Sequence, residues 1–490
     1  MKYRLVIITF LALLCLSATN AQDSGVLPDS SLRLLNDSSV FKDTVPHQDT
    51  NYTPFTVRNI VIIGNKKTKP QIILREIPFK TGDHVSLQNL VAQFETARIR
   101  LMNTVLFHEV IVALKAFDGY NVDVLVEVKE RWYLFPIPYI KPVDRNLNQW
   151  VVENNLNLER VNYGLKLLYN NFTGFNDKLK VWLINGYTRQ LQFSYDRIYI
   201  DRQLKWGLNL KMSVGKNREV NYNTVNNKQV FYKDQNNFLR SFFRTSAEVT
   251  YRKKIYTRHY MGIAYTQERV SDTIVGLNPA YFKNGKRDLR FPELYYTMAY
   301  FDVDYIPYPT RGYAAEVMFN KKGFNSAINL WQLTLKGAAN YTIAKKLYLK
   351  LTGNAIIKLP FQQPFFNQQF MGYDDMVMQG YEYYVIDGVV GGIFKTTITK
   401  EFLNFNIGVP KNRFGSATRI PVRMFAKVFG NAGYVHNPQP GANPLTNKML
   451  YSGGFGIDVL TLYDFTLKLE WSFNQLGENG IYLQNRKSFF

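Results

Sequence analysis

The sequence predicts a mainly β protein, an antiparallel transmembrane barrel of about sixteen strands preceded by one small mixed domain. Three observations predict it. The amino terminus reads as an export signal. From Arg131 onward the chain repeatedly alternates apolar and polar residues. Beyond the signal no stretch is apolar for the roughly 20 residues a membrane helix needs, and the mean hydropathy is only −0.22.

The export signal comes first. Lys2 and Arg4 precede an apolar run from Leu5 to Leu16, and Thr19-Asn20-Ala21 offers small residues for cleavage after Ala21. Residues 1–21 are read as a secretory signal peptide. The single cysteine, Cys15, falls inside it, and Leu14 is not the small residue a lipoprotein signal needs. A mature chain without thiols holds no disulfide, cysteine metal site or cysteine nucleophile. Residues 22–54 are polar and are expected to form a disordered leader.

Residues 55–130 change character. Val57–Ile63 is a β-branched strand closed by the turn pair Gly64-Asn65. Pro70–Glu76 reads as a short helix. Leu87, Leu90, Val91, Phe94, Ala97 and Leu101 recur at helical spacing behind Ser86, a natural N-cap. Two strands, Val110–Lys115 and Val122–Lys129, flank Asp118-Gly119. The order β-α-α-β-β is a plausible single-core unit. It resembles a polypeptide-transport-associated (POTRA) domain, and the resemblance implies a sheet edge that accepts a strand from a client or partner.

Residues 131–490 carry the barrel pattern. In Tyr463–Asn474, Tyr463, Phe465, Leu467, Leu469, Trp471 and Phe473 share one face, and Asp464, Thr466, Lys468, Glu470, Ser472 and Asn474 share the other. That period of two marks a strand between lipid and lumen. Similar segments recur from 131–140 to 481–490, many near the ten or so residues of a tilted spanning strand. Long connections at 216–239, 270–290, 359–390 and 435–450 alternate with tight ones, as outer loops alternate with inner turns. Residues 403–419 break this rule. Lipid cannot satisfy a free strand edge, so the first strand is expected to pair with the last.

Residues 359–390 are expected to fold into the lumen, because Met371–Gly392 is too aromatic and apolar for a solvated linker. Long loops of this kind are usually functional or disordered. The formal net charge of +22 comes from scattered basic residues. It is assigned to the lumen and to loops near anionic lipid headgroups, with no nucleic-acid partner. The five histidines have no metal-ligand spacing, and no nucleophile elbow or phosphate loop is present. Neither enzyme activity nor a cofactor is expected.

Three local patterns in order, Pro309-Thr310-Arg311-Gly312-Tyr313, Met378-Gln379-Gly380-Tyr381 and Phe429-Gly430-Asn431-Ala432-Gly433, resemble motifs of the outer-membrane protein assembly factor superfamily. That superfamily includes the BamA and TamA insertases and the two-partner secretion pores. The resemblance implies a turn motif at Pro309 and Gly312 and a lumen-loop tip at Met378, Gln379, Gly380 and Tyr381. It also implies an anchoring wall at Asn431 and Gly433. Two residues depart from the family: its loop arginine is Gln379 and its wall aspartate is Asn431. Two amides can still hydrogen-bond, so Gln379 is expected to contact Asn431, with Glu401 beside them.

The closing seam is expected between Tyr133, Pro136 and Pro138 on the first strand and Arg486, Lys487 and Phe490 on the last. Proline donates nothing to a ladder. Because Pro136 and Pro138 share one parity, they either weaken the seam or point their missing donors away from it. The resemblance implies insertion or translocation of polypeptides, with clients docking on the POTRA edge and the seam. A secretion pore for one dedicated partner, or a passive channel, is the alternative. The expected partners are unfolded outer-membrane or secreted polypeptides and outer-membrane lipid, with accessory lipoproteins left open.

Overall fold

The computed structural model describes residues 54–484, apart from most of 143–160, residues 409–418 and a few single positions. The expected signal peptide and nearly all of the expected leader lie outside the described residues.

The amino-terminal domain is built from β1 (Phe55–Ile63), α1 (Pro70–Glu76), β2 (His84–Val85), α2 (Leu87–Asn103), β3 (Phe107–Asp118) and β4 (Asn121–Glu130). The two-residue β2 is an addition to the expected order. The sheet runs β2-β1-β4-β3, with β1 parallel to β4 and the rest antiparallel. Pro70 opens α1, where its missing N–H costs nothing. Ser86 Oγ accepts from Asn89 N at 3.4 Å and caps α2. Leu90, Phe94, Ala97 and Leu101 bury one stripe of α2 against Val122, Val124, Val126 and Val128, the alternate residues of β4. Period 3.6 meets period 2 in one apolar core.

A single sheet of sixteen strands follows. Its strands are β5 (Leu134–Pro142), β6 (Val161–Asn170), β7 (Lys178–Gly186), β8 (Thr188–Tyr199), β9 (Trp206–Asn217), β12 (Arg240–Tyr251), β13 (Thr257–Val270) and β14 (Asp288–Val303). The remainder are β15 (Gly312–Lys322), β16 (Leu330–Ala344), β17 (Leu347–Leu359), β18 (Val390–Gly408), β19 (Arg419–His436), β20 (Met449–Leu460), β21 (Thr466–Asn474) and β22 (Asn479–Gln484). Every neighbouring pair is antiparallel, and the order follows the chain from β5 to β22. The hairpin of β10 (Glu219–Val225) and β11 (Lys228–Lys233) stands outside it.

The alternation places side chains as a barrel wall requires. On β20 and β21, Tyr451, Phe455, Ile457, Leu469, Trp471 and Phe473 are exposed outside, whereas Asp458, Glu470 and Ser472 are buried inside. Exposed apolar residues on the outer face of a strand sheet are an interface with lipid.

Two connections differ from expectation. The loop 216–239 contains the β10/β11 hairpin, closed by Asn226 and Asn227 at φ 52° and 57°. Two consecutive residues with positive φ form the hairpin turn whose twist matches the strands. Of the exception at 403–419, the described residues 403–408 continue β18, which stays paired with β19 as far as Gly408–Arg419. The neighbouring ladder of β17 with β18 ends at Leu347–Lys400, so residues 402–408 extend beyond the wall.

Candidate functional site

The lumen loop between β17 and β18 is held first by apolar packing. Phe370, Met371, Met376, Met378, Tyr381 and Ile386 form one buried cluster with Ile356, Ile393, Val435, Leu445 and Leu450 of the wall and outer loops. Met371 and Ile386 close the loop on itself through backbone bonds of 3.0 and 2.9 Å. Gly433 makes room for it, since a Cβ there would meet Met371 Cε at 2.8 Å and Met378 Sδ at 3.0 Å. The β10/β11 hairpin covers the loop from outside: Val385 N donates to Asn227 O at 2.8 Å, and Leu445 N donates to Asn227 Oδ1 at 2.8 Å.

The tip of the loop is fixed by polar contacts. Gly380 has φ +87°, and a Cβ would meet Ser452 Cβ at 3.0 Å and Phe473 O at 3.1 Å. Only glycine fits that approach and that angle. Gly380 O accepts from Asn474 Nδ2 at 2.8 Å, and the buried Tyr381 hydroxyl donates to Tyr451 O at 3.3 Å.

The expected contact of Gln379 with Asn431 is not formed. Gln379 Nε2 donates instead to Glu470 Oε1 at 3.2 Å, while Asn431 Nδ2 donates to Ser452 Oγ at 3.0 Å. Asn431 lies directly opposite Ser452 in the β19–β20 ladder, so its amide nitrogen is bonded within the wall, while its Oδ1 is buried with no partner among the described residues. Glu401 also lies elsewhere, at the domain-side end of β18, where Arg423 Nε donates to it at 3.0 Å.

The cation beneath the tip comes from the wall. Lys427 Nζ donates to Glu470 Oε1 at 2.6 Å and also bonds Asp458, and all three side chains are buried. Lys427 and Glu470 both lie opposite Gly456 of β20 and meet across it. A fixed lysine sits between two carboxylates, and Gln379 joins the group as a neutral donor. Alternation already puts Lys427 and Glu470 on inward positions. What the sequence could not supply was the register that aligns them.

The seam differs. The sixteen-stranded sheet has β5 and β22 as its two edges, and among the described residues no ladder joins them. The expected pairing along Ile481–Phe490 is therefore absent as far as Gln484. Arg486, Lys487 and Phe490 lie outside the described residues.

The register of β5 settles which way its prolines face. Tyr133 O accepts from Asn170 N at 2.8 Å, and the register continues unbroken from Leu134–Tyr169 to Pro142–Val161. Opposed residues in an antiparallel ladder alternate between hydrogen-bonded and non-bonded pairs. Odd-numbered residues of β5 thus address β6, and even-numbered ones address the free edge. Of positions 134, 136, 138, 140 and 142, three are proline, so only Leu134 and Ile140 offer an N–H to the seam. The missing donors point into the seam, not away from it.

The loop also touches the last described strand. Glu382 accepts from Gly380 N at 2.8 Å and from Gln484 Nε2 at 3.2 Å. The rings of Tyr383 and Tyr482 are 5.8 Å apart.

Tyr133 belongs to the joint between domain and barrel rather than to the seam. It is 8% exposed, its hydroxyl lies 3.1 Å from Thr68 Oγ1, and it donates to Leu106 O at 3.2 Å. The joint has three further anchors. Arg252, just past β12, donates to both oxygens of Glu76 at 2.7 and 2.9 Å. Burial pushes the Glu76 carboxyl up, but Arg252 and then Arg75 outweigh it and hold it at about 2. Asn103, at the end of α2, donates to Val303 O at 3.2 Å and accepts from Ile306 N at 3.0 Å. Arg131 Nη1 donates to Asp464 at 2.7 Å.

The turn 304–311, which carries Pro309, lies beside this joint and reaches inward, where Tyr308 donates to Asp458 at 3.0 Å. Gly312, at φ +105°, follows it with a Cβ position only 2.1 Å from Asp302 O, so no other residue fits.

A family model described as POTRA, surface antigen variable number repeat, matches residues 55–131. A sequence search of curated proteins finds no match. Among solved structures, CdiB from Escherichia coli is similar at 9% identity and a TM-score of 0.52, over 88% of this chain and 76% of that one. BamA from Haemophilus ducreyi lacking POTRA domains 1–3 is similar at 14% identity and a TM-score of 0.46, over 88% and 83%. CdiB from Acinetobacter baumannii is similar at 10% identity and a TM-score of 0.46, over 88% and 74%.

Proposed function

We propose that this chain, whose residues 55–131 match the POTRA family model, belongs to the BamA/TamA-like surface antigen superfamily, with a Gram-negative outer-membrane barrel and a periplasmic POTRA domain, and that it inserts polypeptides into the outer membrane through its β5/β22 seam. The single observation that carries this reading is the seam edge of β5, where Pro136, Pro138 and Pro142 remove three of five donors. An edge with two donors is held weakly, and a client strand that pairs with β22 displaces little when it arrives. The lumen supports the same reading. Its loop is fixed to the wall and to the outer hairpin, which favours a route through the side over one through the middle.

The POTRA domain presents β3 as an outer strand of its sheet, the edge on which a client strand docks before reaching the seam. Lipid burial of the client's apolar face and completion of its backbone bonds drive the transfer. Depletion of the protein followed by a census of outer-membrane proteins tests this. Loss of many barrels is expected. Loss of one exported protein, with barrels unchanged, identifies a secretion pore instead.

A further inference from the structure

Between α2 of the POTRA domain and the domain-side lumen wall lies a cavity of about 860 Å³. Ten lysine or arginine side chains and five carboxylates line it. The charge is not neutralised pair by pair. Glu76 is taken by Arg252 and Arg75, and Asp196 by Lys180 at 2.6 Å. Glu248 is bonded by the neutral amide of Asn209 at 2.6 Å.

The surplus concentrates at one place. Arg258 of β13 is on the lumen face, with Arg197, Arg252 and Glu76 in its immediate electrostatic surroundings. The one carboxylate among them is already gripped by Arg252 in a fork and by Arg75 beside it. The Arg258 guanidinium makes no hydrogen bond or ion pair among the described residues. On the opposite side of the cavity, Arg100 of α2 reaches Tyr256 at 3.4 Å, but its Nε is buried with no acceptor among the described residues. Lys211 also faces the cavity. Like charges confined where water is scarce repel, so an anionic guest that fits lowers the energy of the whole lining.

We propose that this vestibule is a binding site for an acidic stretch of polypeptide, held by Arg258, Arg197 and Lys211 from the wall and by Arg100 from the POTRA domain. Guanidinium groups match carboxylates in a planar fork, and several carboxylates strung along an extended chain suit cations spread over several strands. A lipid phosphate is the poorer guest, because the vestibule lies inside the strand wall, away from the lipid-facing exterior. The inference deepens the polypeptide-handling reading above and rests on it for the identity of the guest.

The test uses the full chain purified in detergent micelles. The probes are fluorescein-labelled oligopeptides of equal length, one of glutamate, one of glutamine and one of lysine, read by anisotropy. The glutamate peptide is expected to bind, the other two are not, and salt is expected to weaken the binding as it screens exposed charge. Arg258→Gln with Lys211→Gln is expected to weaken binding about tenfold or more, whereas Arg258→Lys retains most of it. Heat-shifted gel mobility shows that each variant is folded, and Lys211→Gln alone serves if the double variant is not. Equal binding of the glutamine peptide, unchanged affinity in the folded variants, or displacement of bound phosphate with no peptide binding overturns the proposal. Failure here leaves the depletion census untouched, so the two readings fall separately.

Discussion

The wall behind the lumen loop and the seam are made of the same kind of strand, yet they are held in opposite ways. Along β19, β20 and β21 the ladders are regular, and the inward face carries Lys427, Asp458 and Glu470 in mutual contact. Along β5 the outer edge has lost three of its five donors to proline, and no partner strand is paired with it among the described residues. Strands of one geometry thus differ in how many donors an edge presents and in whether the charges behind it are matched.

The largest expected effect comes from breaking the firm side. Lys427→Met removes the cation shared by two buried carboxylates and is expected to cost about 3–5 kcal/mol, because an uncompensated buried charge is left behind. The measurement is the denaturant midpoint of the barrel, with labelling of a cysteine at Gln379 to report the loop. In a chain without Cys15 such a label is unique.

The joint comes next. Glu76→Gln leaves Arg252 facing an uncharged partner and is expected to cost on the order of 3 kcal/mol of docking. Protease cleavage between domain and barrel reads this, and the double change with Arg252→Met separates loss of the pair from loss of either charge. The sign of the pH effect follows from the shift. Glu76 is lowered from its ordinary 4.5 to about 2, so its contribution is full above about 4.5 and is lost as pH falls toward 2. His108 is lowered from 6.5 to about 4, mainly by burial and then by Arg131 and Lys129. Its contribution is complete above about 6.5 and is lost between there and 4. Protection factors of POTRA amides, which correct for the intrinsic slowing of exchange in acid, are therefore expected to fall between neutral pH and pH 4, and Glu76 adds to this only at the acid end.

Smaller effects sharpen the contrast. Gly433→Val puts a side chain where Met371 and Met378 pack, and overpacking of this kind costs about 1–3 kcal/mol. Looser labelling at Gln379 is the readout. On the seam the change runs the other way: Pro136→Val with Pro138→Val restores two donors, each worth about 1 kcal/mol once paired. That variant is expected to be more stable than the parent and slower in assembly.

The two regions were not equally legible. Period-two alternation gave the strands and their facing, because burial on one side only is written into each residue. Glu470 and Ser472 on the inner face, and Trp471 and Phe473 on the outer, fall as the pattern says. The hairpin within 216–239 was not legible as strands, although Asn226-Asn227 is a residue pair that tolerates the positive φ its turn needs. The partner of Gln379 was not legible. It lies 91 positions away on a strand whose register depends on every turn between them. The direction of the β5 prolines was hidden for the same reason, since parity says which residues agree and only the Tyr133–Asn170 bond says which way they face. Tyr133 continued the strand pattern of β5, yet its ring turns back into the POTRA core, a choice made by Thr68 and Leu106.

The most direct measurement locks the seam. Cysteines placed singly at Ile137 or Tyr139 on β5 and at Ile481 or Leu483 on β22 are joined by a short bifunctional crosslinker that a reductant cleaves. Insertion of a test barrel into the membrane is then followed before and after reduction. Insertion is expected to stop when β5 and β22 are tied and to return when the tie is cut. Full insertion through a tied seam would place the exit elsewhere and contradict the account.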